Sequence, residues 1–452
     1  MKEFDCVVIG GGPGGYAAAI RAAQEGLSVA LVEKEALGGT CLNWGCIPTK
    51  SLLHAADLIR HMGHAAEFGV SVKGFEVNLE AMVGQSREAA ATLSNGITGL
   101  MRKHKITVFK EHAEILGAGQ IKLSASGELL ADAIVIATGA KARHLPHIDC
   151  ASDHLWTARE AMTPTFLPKR LLIVGAGAIG VEFASFYSAL GSKVTLIEAA
   201  DAVLPAEDHE ISALAKAALI EQGVEVYTQT PLESLSGKKQ LQAAFNGQSK
   251  RFDACIMSVG VSANVEGLGL ENVGLALEQG FLTVDAEQRT RVPGIYAIGD
   301  VTGGPCLAHK ATHEAIIVAE VIAGKQPHGL RRDRIPGCTY SAPQVASIGL
   351  REQDAGDRAI KVGRFPFYAN GKAVASHAGE GLIKTIFDEA TGALLGAHMI
   401  GEGVTELIQG FAIAINLETT EQELIDTIFP HPTLSEAMHE SVLQAFGRPI
   451  HL

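Results

Sequence analysis

The sequence predicts an α/β protein, because one pattern of strand, glycine turn, helix and strand occurs twice along the chain. The turns occupy residues 10–15 and 175–180, and each follows a short apolar run typical of a buried strand. Each second strand ends in an acidic residue, Glu33 in the first copy and Glu198 in the second, at the same spacing from its turn. Two complete copies of this arrangement indicate two Rossmann-like dinucleotide-binding domains.

Each glycine turn has a defined chemical task. The first glycines allow a tight turn and close approach of a pyrophosphate, and the last lets the helix pack against the strand. The acidic residue accepts hydrogen bonds from ribose hydroxyls. The residues predicted to bind the nucleotides are Gly10, Gly12, Pro13, Gly15 and Glu33 in the first copy and Gly175, Gly177, Ile179, Gly180 and Glu198 in the second. Glu198 would repel a 2′-phosphate, and residues 199–207 contain no Arg or Lys, so NAD is favoured over NADP.

Composition excludes several classes of function. The net charge of −13 argues against a nucleic acid or an anionic membrane surface as partner. No window approaches about 18 uncharged apolar residues, so no membrane span is expected. The first residues lead straight into an apolar run, and we expect no signal or transit peptide. The 7 cysteines do not form a secreted disulfide pattern, which favours a reducing cytoplasm.

Cys41 and Cys46 are the only closely spaced cysteines, and they follow the first nucleotide unit. Five residues of regular helix rise about 7.5 Å, whereas disulfide-linked Cα atoms lie roughly 4.4–6.8 Å apart. We therefore expect Gly45 to permit a distortion that brings the two thiols together. The alternatives are two unrelated thiols or half of a metal site, but no further ligands stand at suitable spacing and no metal is expected. Beside a flavin, such a pair could pass electrons between a thiol substrate and a nicotinamide.

Three other residues are candidates for the same centre. Lys50 follows the cysteines, and either lies on the surface or places a cation near the flavin, with Glu182 as a possible partner. Asp300 ends the apolar run at 295–299, which is either a buried strand with a turn or a strand that delivers a carboxylate to the ribityl hydroxyls of a flavin.

A candidate base lies near the end of the chain. A thiol–disulfide enzyme needs a group that removes a proton from its thiol substrate, and the imidazole of His431 titrates in the right range. A carboxylate such as Glu436 would orient the imidazole and raise its basicity. Glu436 also has a structural alternative, because Thr433 and Glu436 are spaced as a capping box at the start of the last helix.

Four motifs carry a resemblance to a known family. The runs GGTCLNWGCIPTK, GAGAIGVEF, IYAIGDVTGGPCLAHKA and HPTLSEAMHE occur in this order along the chain. The sequence resembles the flavin-dependent pyridine nucleotide–disulfide oxidoreductases over essentially its whole length. The resemblance implies FAD and NAD as cofactors. It extends the predicted cofactor-binding residues to Gly39, Thr40, Lys50, Ala113, Thr138, Gly139, Glu182, Gly260, Asp300 and Ala308.

The resemblance also implies a domain order and a dimer. The expected regions are an FAD domain at 1–145, an NAD domain at 146–270, a central domain at 271–335 and an α+β dimerisation domain at 336–452. Cys41 would exchange with the substrate, and Cys46 would lie near the flavin. His431 and Glu436 of one copy in a homodimer would then serve the cysteine pair of the other.

The activity that the resemblance implies is oxidation of protein-bound dihydrolipoamide by NAD⁺. The lipoyl group would be carried by a 2-oxoacid dehydrogenase complex, the glycine cleavage system or another lipoate-binding protein. A glutathione reductase would need a basic cluster in place of Glu198, and a mercuric reductase would need a cysteine pair after Cys338. Reduction of another small disulfide and a mainly docking role remain as alternatives. Trp44, between the cysteines, departs from the small aliphatic residue that is frequent there.

Overall fold

The computed structural model describes residues 2–452 of the protein. The strands are β1 (Lys2–Ile9), β2 (Val29–Val32), β3 (Thr107–Phe109), β4 (Ala113–Gly117), β5 (Gln120–Leu123), β6 (Gly127–Ile136), β7 (Ala140–Ala142), β8 (Leu155–Trp156), β9 (Arg170–Val174), β10 (Lys193–Ile197), β11 (Glu225–Tyr227), β12 (Ser234–Gly237), β13 (Leu241–Phe245), β14 (Gln248–Phe252), β15 (Ala254–Met257), β16 (Val261–Ala263), β17 (Ile295–Ala297), β18 (Gly337–Thr339), β19 (Gln344–Gly349), β20 (Ile360–Pro366), β21 (Leu382–Asp388) and β22 (Leu394–Gly401). The helices are α1 (Pro13–Gln24), α2 (Gly39–Trp44), α3 (Cys46–His64), α4 (Leu79–Lys103), α5 (Ala158–Ala161), α6 (Ala178–Ala189), α7 (His209–Glu221), α8 (Ala308–Ile322), α9 (Gly371–Ala375), α10 (Val404–Asn416), α11 (Glu421–Asp426) and α12 (Glu436–Ala445).

The chain divides into two compact units. Unit 1 contains the segment ending at Leu52 together with Asn78–Arg143 and Gly260–Leu330, and unit 2 contains Leu53–Val77, His144–Val259 and Arg331–Leu452. The mixed α/β architecture expected from the sequence is present in both units. No helix within residues 2–452 is both long enough and apolar enough to cross a membrane.

Unit 1 is built on a sheet with the strand order β3-β2-β1-β6-β5-β4, and β17 also pairs with β6. The strands β3, β2, β1, β6 and β17 run parallel, whereas β4 and β5 continue the sheet antiparallel. The carboxyl halves of β1 and β6 and the whole of β2 are buried, because helices cover one face of the sheet and a cluster around β4 and the 270–284 segment covers the other.

The ends of the parallel strands in unit 1 are in register. Ile9 pairs with Val32 on one side and with Ile136 on the other, and Ile136 also pairs with Ala297. The residues that follow these four strands therefore meet at one edge of the sheet. In parallel α/β sheets this carboxyl edge is where ligands bind.

Unit 2 repeats the arrangement in a smaller parallel sheet with the order β11-β10-β9-β15-β8. Val174, Ile197 and Met257 are aligned at the ends of β9, β10 and β15. The three-stranded sheet β12-β13-β14 packs its apolar face on the same core. The antiparallel sheet β18-β19-β22-β21-β20 forms a separate core with α10 and α12.

A buried cation lies inside unit 2 near the start of α7. The Lys384 side chain is 2% exposed, and its Nζ lies 2.8 Å from Asp208, 3.0 Å from Glu210 and 2.6 Å from Glu352. A buried ammonium is tolerated only when anions and hydrogen bonds replace its water. These contacts fix α7 against the sheet that contains β21.

Candidate active site

The first nucleotide turn has the geometry that its glycines predict. Gly10 has a φ of +107°, and a Cβ there would lie 2.3 Å from the carbonyl oxygen of Ala137. A Cβ on Gly15 would lie 1.8 Å from the carbonyl oxygen of Gly10, so α1 packs directly on the turn. In the second copy, Gly175 likewise has a positive φ, and a Cβ on Gly180 would lie 1.9 Å from the carbonyl oxygen of Gly175. Neither α1 nor α6 has a side-chain cap, so their first amides face the turn and suit a phosphate.

Glu33 and Glu198 are held in the same way in the two copies. Glu33 accepts hydrogen bonds from the amides of Gly11, at 2.7 Å, and Glu35, at 2.7 Å. Glu198 accepts hydrogen bonds from Ala176, at 2.6 Å, and Ala200, at 2.8 Å. Each carboxylate oxygen keeps a further lone pair, so both groups are oriented and can still accept from ribose hydroxyls.

The carboxyl edge of unit 1 fits a flavin dinucleotide. Thr138 and Gly139 follow β6, and Asp300 follows β17, so the aligned strands bring them to one edge. Thr138 Oγ1 is buried and has no hydrogen-bond partner among residues 2–452, which leaves it for a bound molecule. Gly39, at the start of α2, lies against Gly12, where a Cβ would be 2.6 Å from the Gly12 Cα. Thr40, Ala113 and Ala308 lie in α2, β4 and the first turn of α8.

A buried ion pair holds the turn that carries Asp300. Lys310 and Glu314 are fully buried, and their Nζ and Oε1 lie 3.1 Å apart in a charge contact without hydrogen-bond alignment. Lys310 Nζ donates to the carbonyl oxygens of Gly299, at 3.2 Å, and Gly303, at 3.0 Å. Glu314 Oε2 accepts from the Gly299 amide at 2.7 Å. Burial raises the pKa of the Asp300 carboxyl, and the charge of Lys310 opposes this rise.

Glu314→Gln should therefore weaken flavin retention. The change keeps the shape but leaves the buried Lys310 without its counter-charge, a loss that typically costs about 3–5 kcal/mol of stability. We expect the dissociation constant for FAD, measured by equilibrium dialysis, to rise about tenfold, which corresponds to about 1.4 kcal/mol. His313→Gln, on the adjacent exposed position of α8, is the matched control and should bind FAD normally. Normal FAD binding by Glu314→Gln would contradict this role.

The remaining residues predicted for the second nucleotide are Ile179 and Glu182, on α6, and Gly260. Ile179 stands in its first turn and is 44% exposed, and Gly260 follows β15. Glu182 is buried on α6, and its Oε1 accepts a hydrogen bond from the Tyr340 amide at 2.9 Å. The pairing of Glu182 with Lys50 stays a prediction.

The two cysteines of the redox motif lie on different helices. Cys41 belongs to α2 and Cys46 begins α3, and Gly45 between them has φ −150° and ψ −114°. A Cβ on Gly45 would lie 3.1 Å from the Thr40 carbonyl oxygen and 3.3 Å from the Cys41 Cα. The chain thus folds back at Gly45, which is the distortion that the spacing of the cysteines required.

The folded-back chain places the two thiols in contact. The structure has both cysteines in their thiol form. The side-chain hydrogen bond with Cys46, together with burial, raises the pKa of the Cys41 thiol. The positive charge of Lys50 acts in the opposite direction on the same pKa, so this lysine does lie close to the pair.

His431 and Glu436 form a dyad in unit 2. His431 Nδ1 lies 2.9 Å from Glu436 Oε1, and Oε2 of Glu436 accepts from the Thr433 amide at 2.9 Å. The carboxylate fixes the proton on Nδ1, which leaves Nε2 as the basic nitrogen. The His431 side chain is 76% exposed in the single chain.

The capping box expected at Thr433 is only half correct. The Thr433 amide does donate to Glu436, but the residue at the N-cap position of α12 is Ser435, and within residues 2–452 its side chain accepts no capping hydrogen bond. Thr433 Oγ1 instead donates to the Pro430 carbonyl oxygen at 2.7 Å. Glu436 therefore combines a structural bond with its contact to the imidazole.

Three residues that matter for the site were missed from the sequence. Lys310 lies near the end of the motif at residues 295–311 and Glu314 follows that motif, and the i, i+4 spacing of the two residues on a helix was the available signal. Arg87 contacts α2 from α4, far along the chain, and no local pattern indicates that contact.

Comparison with known proteins agrees with this geometry. A family model described as pyridine nucleotide-disulphide oxidoreductase matches residues 4–315, and the dimerisation domain of that family matches residues 335–442. The dihydrolipoyl dehydrogenases of Zymomonas mobilis and Bacillus subtilis are 50% and 42% identical to this chain, and each alignment covers 99% of both proteins.

Solved structures show the same similarity. LpdA from Mycobacterium tuberculosis is 28% identical with a TM-score of 0.90, covering 98% of this chain and 99% of that one. The HOCl-induced flavoprotein disulfide reductase RclA from Escherichia coli is 28% identical with a TM-score of 0.88, covering 97% and 99%. The resemblance seen in the four motifs is thus confirmed over the full length. The chain belongs to the pyridine nucleotide–disulphide oxidoreductase family.

Proposed function

We propose that this chain is an NAD-dependent dehydrogenase that oxidises protein-bound dihydrolipoamide to lipoamide through FAD and the Cys41–Cys46 pair. The observation that carries the proposal is the contact of two thiols across Gly45, directly behind the first nucleotide turn. The full-length similarity to dihydrolipoyl dehydrogenases supports this substrate. Glu198, with both oxygens oriented by backbone amides, supports NAD.

The chemistry of the thiols follows from their positions. One thiol of dihydrolipoamide loses its proton to Nε2 of His431 and attacks Sγ of Cys41 in the Cys41–Cys46 disulfide. The S–S bond breaks, Cys46 leaves as a thiolate, and a mixed disulfide joins the substrate to Cys41. The second substrate thiol then attacks the substrate sulfur of the mixed disulfide and passes its proton to Cys41, which closes the lipoyl ring and releases Cys41 as a thiol. Two electrons now reside in the Cys41–Cys46 pair.

When bound, FAD and NAD⁺ would supply the hydride chemistry that removes this electron pair from the dithiol. The chain provides the binding groups: Glu33, Thr138 and Asp300 for the first nucleotide and Glu198 for the second. Lys50 adds a positive charge beside the thiol pair. That charge favours the thiolate form that thiol exchange requires.

The dimer completes the site in this proposal. The four regions are the FAD domain at 1–145, the NAD domain at 146–270, the central domain at 271–335 and the interface domain at 336–452. The His431–Glu436 dyad of one copy serves the cysteine pair of the other, and the dimerisation-domain match at 335–442 supports this crossing. The substrate is a lipoyl-bearing domain in the cytoplasm, carried by a 2-oxoacid dehydrogenase complex, the glycine cleavage system or another lipoate-binding protein.

The direct test is lipoamide-dependent oxidation of NADH by the purified, FAD-loaded protein. Turnover with lipoamide, and with a lipoylated protein domain, is the expected result. If FAD is bound and no turnover occurs, the chain acts as a docking subunit. If another small disulfide is turned over much faster than lipoamide, the substrate assignment is wrong.

Glu198→Ser should reduce the preference for NAD. The carboxylate accepts hydrogen bonds from the ribose hydroxyls and repels a 2′-phosphate. Its removal should therefore weaken the binding of NADH and allow NADPH to bind. We expect the ratio of kcat/KM for NADH over NADPH to fall by about 10–100-fold, or roughly 1.4–2.7 kcal/mol. Asp201→Ser, an exposed carboxylate close to Glu198, is the matched control. An unchanged ratio would show that Glu198 does not contact the ribose of the bound nucleotide.

A further inference from the structure

The helix that carries Cys41 is too short to be stable on its own. α2 contains six residues, and a helix of this length leaves its last carbonyl oxygens without intrahelical partners. One of these, the carbonyl oxygen of Asn43, accepts a hydrogen bond from Nη2 of Arg87 on α4. A cation at the C-terminal end of a helix also complements the helix dipole.

The same guanidinium packs on Trp44, the residue that distinguishes this motif. Arg87 Cζ lies 5.0 Å from the centre of the Trp44 ring, within the range of a cation–π contact. Both side chains are half-buried. Arg87 therefore holds the last turn of α2 twice, through the backbone of Asn43 and through the ring of Trp44.

The two sides of the Gly45 bend are anchored independently. On the α3 side, the Gly45 carbonyl oxygen accepts from Thr49 Oγ1, at 2.6 Å, and from the Thr49 amide, at 3.0 Å. At the start of α2, Asn43 Nδ2 donates to the carbonyl oxygens of Leu37 and Gly39, each at 3.0 Å. The last turn of α2, which fixes Cys41 relative to Cys46, is held from α4 by Arg87.

We propose that Arg87, through Trp44 and the Asn43 carbonyl, is a positioning residue that sets the equilibrium between the Cys41–Cys46 dithiol and its disulfide. A disulfide demands a narrow separation and torsion of its two residues. Contacts from α4 that fix the last turn of α2 at the Gly45 bend keep the sulfurs close and so favour the disulfide. The proposal deepens the proposed function and rests on it only in taking these cysteines as the redox pair.

The equilibrium can be measured directly with dithiothreitol. The full-length, FAD-loaded protein is equilibrated in mixtures of reduced and oxidised dithiothreitol, alkylated, and analysed for the Cys41–Cys46 disulfide by mass spectrometry. In this exchange the two cysteine thiols lose two electrons and two protons, and the cyclic disulfide of the reagent gains them. For Arg87→Met we expect the equilibrium constant for disulfide formation to fall about tenfold, equivalent to about 30 mV for a two-electron couple.

Three further variants separate positioning from charge. Arg87→Lys keeps the positive charge but loses the planar fork and the stacking, so it should shift the equilibrium in the same direction as Arg87→Met. Trp44→Val should give a smaller shift in that direction, and Trp44→Phe, which keeps an aromatic face, should restore the wild-type value. Arg102→Met, an exposed arginine on the same helix, should leave the equilibrium unchanged.

Each outcome decides the proposal. If Arg87→Met shifts the equilibrium in either direction while Arg87→Lys keeps the wild-type value, the effect is one of charge and the proposal is overturned. Wild-type values in both Arg87→Lys and Trp44→Val would also overturn it, and these two variants decide the matter if Arg87→Met does not fold. Absence of lipoamide turnover in the wild type would contradict the proposed function but leave this equilibrium measurable.

Discussion

Cys46→Ser should abolish turnover and the long-wavelength absorbance that a thiolate gives when it lies against an oxidised flavin. Without Cys46 no internal disulfide can form, so the substrate has no electron acceptor at Cys41. We expect kcat for lipoamide to fall on the order of 10⁴-fold or more, as for other residues that act as one unit. The measurements are steady-state NADH oxidation and the visible spectrum after addition of dihydrolipoamide.

A second cysteine variant tests the separate roles of the two sulfurs. Cys41→Ser should be equally inactive, yet it keeps Cys46 and should show the long-wavelength band without any reductant. Cys150→Ser, in unit 2, is the control and should retain full activity. Persistence of the band in Cys46→Ser, or its absence in Cys41→Ser, would reverse or remove the assignment of Cys46 as the sulfur near the flavin.

His431→Gln should have the second largest effect. Glutamine cannot accept the proton of the substrate thiol, and loss of a general base typically lowers the rate by about 10²–10⁴-fold. We expect this loss in the reduction of the enzyme by dihydrolipoamide, followed by stopped flow. Oxidation of the reduced enzyme by NAD⁺ should be close to normal, because no substrate thiol takes part. His328→Gln, an exposed histidine, should behave like the wild type.

The pH profile provides an independent check of the dyad. Partial burial raises the pKa of the Glu436 carboxyl, but the Thr433 amide and His431 lower it by more, so its pKa lies below the ordinary value. Glu436 thus stays ionised as pH falls through neutrality, so it still orients His431 in that range. Glu436→Gln should lower the rate of reduction by dihydrolipoamide at neutral pH, because the neutral amide stabilises the imidazolium less well. The difference between the two rates should close only as pH falls through the lowered pKa of Glu436. Equal rates at neutral pH would contradict the pairing.

The sequence predicted the parts of the site that depend on local pattern. Glu33 and Glu198 follow their turns at equal spacing. In the structure, backbone amides at equivalent positions of the two copies donate to the two carboxylates. Gly45 was identified because two cysteines on one regular helix cannot reach each other. The placement of these residues was predictable because it rests on steric or geometric limits within a short stretch of chain, and the binding of ribose by the two carboxylates stays a prediction.

Contacts between distant segments could not be predicted in this way. Arg87 reaches Asn43 and Trp44 from a helix that the first nucleotide unit does not include. Lys310 and Glu314 are recognisable as a helical pair, but their role depends on the return of the chain to Gly299. The Thr433 capping box was wrong in one of its two bonds because the chain makes another turn before α12 begins.

The alignment of strand ends in unit 1 has a consequence for biosynthesis. β17 pairs with the carboxyl half of β6, yet the ribosome makes the entire second nucleotide repeat between these two strands. Until β17 emerges, the carboxyl half of β6 is an open sheet edge, which is a template for pairing with other chains. We therefore expect fragments that end before residue 295 to aggregate or to require chaperones, and FAD to be captured only late in synthesis.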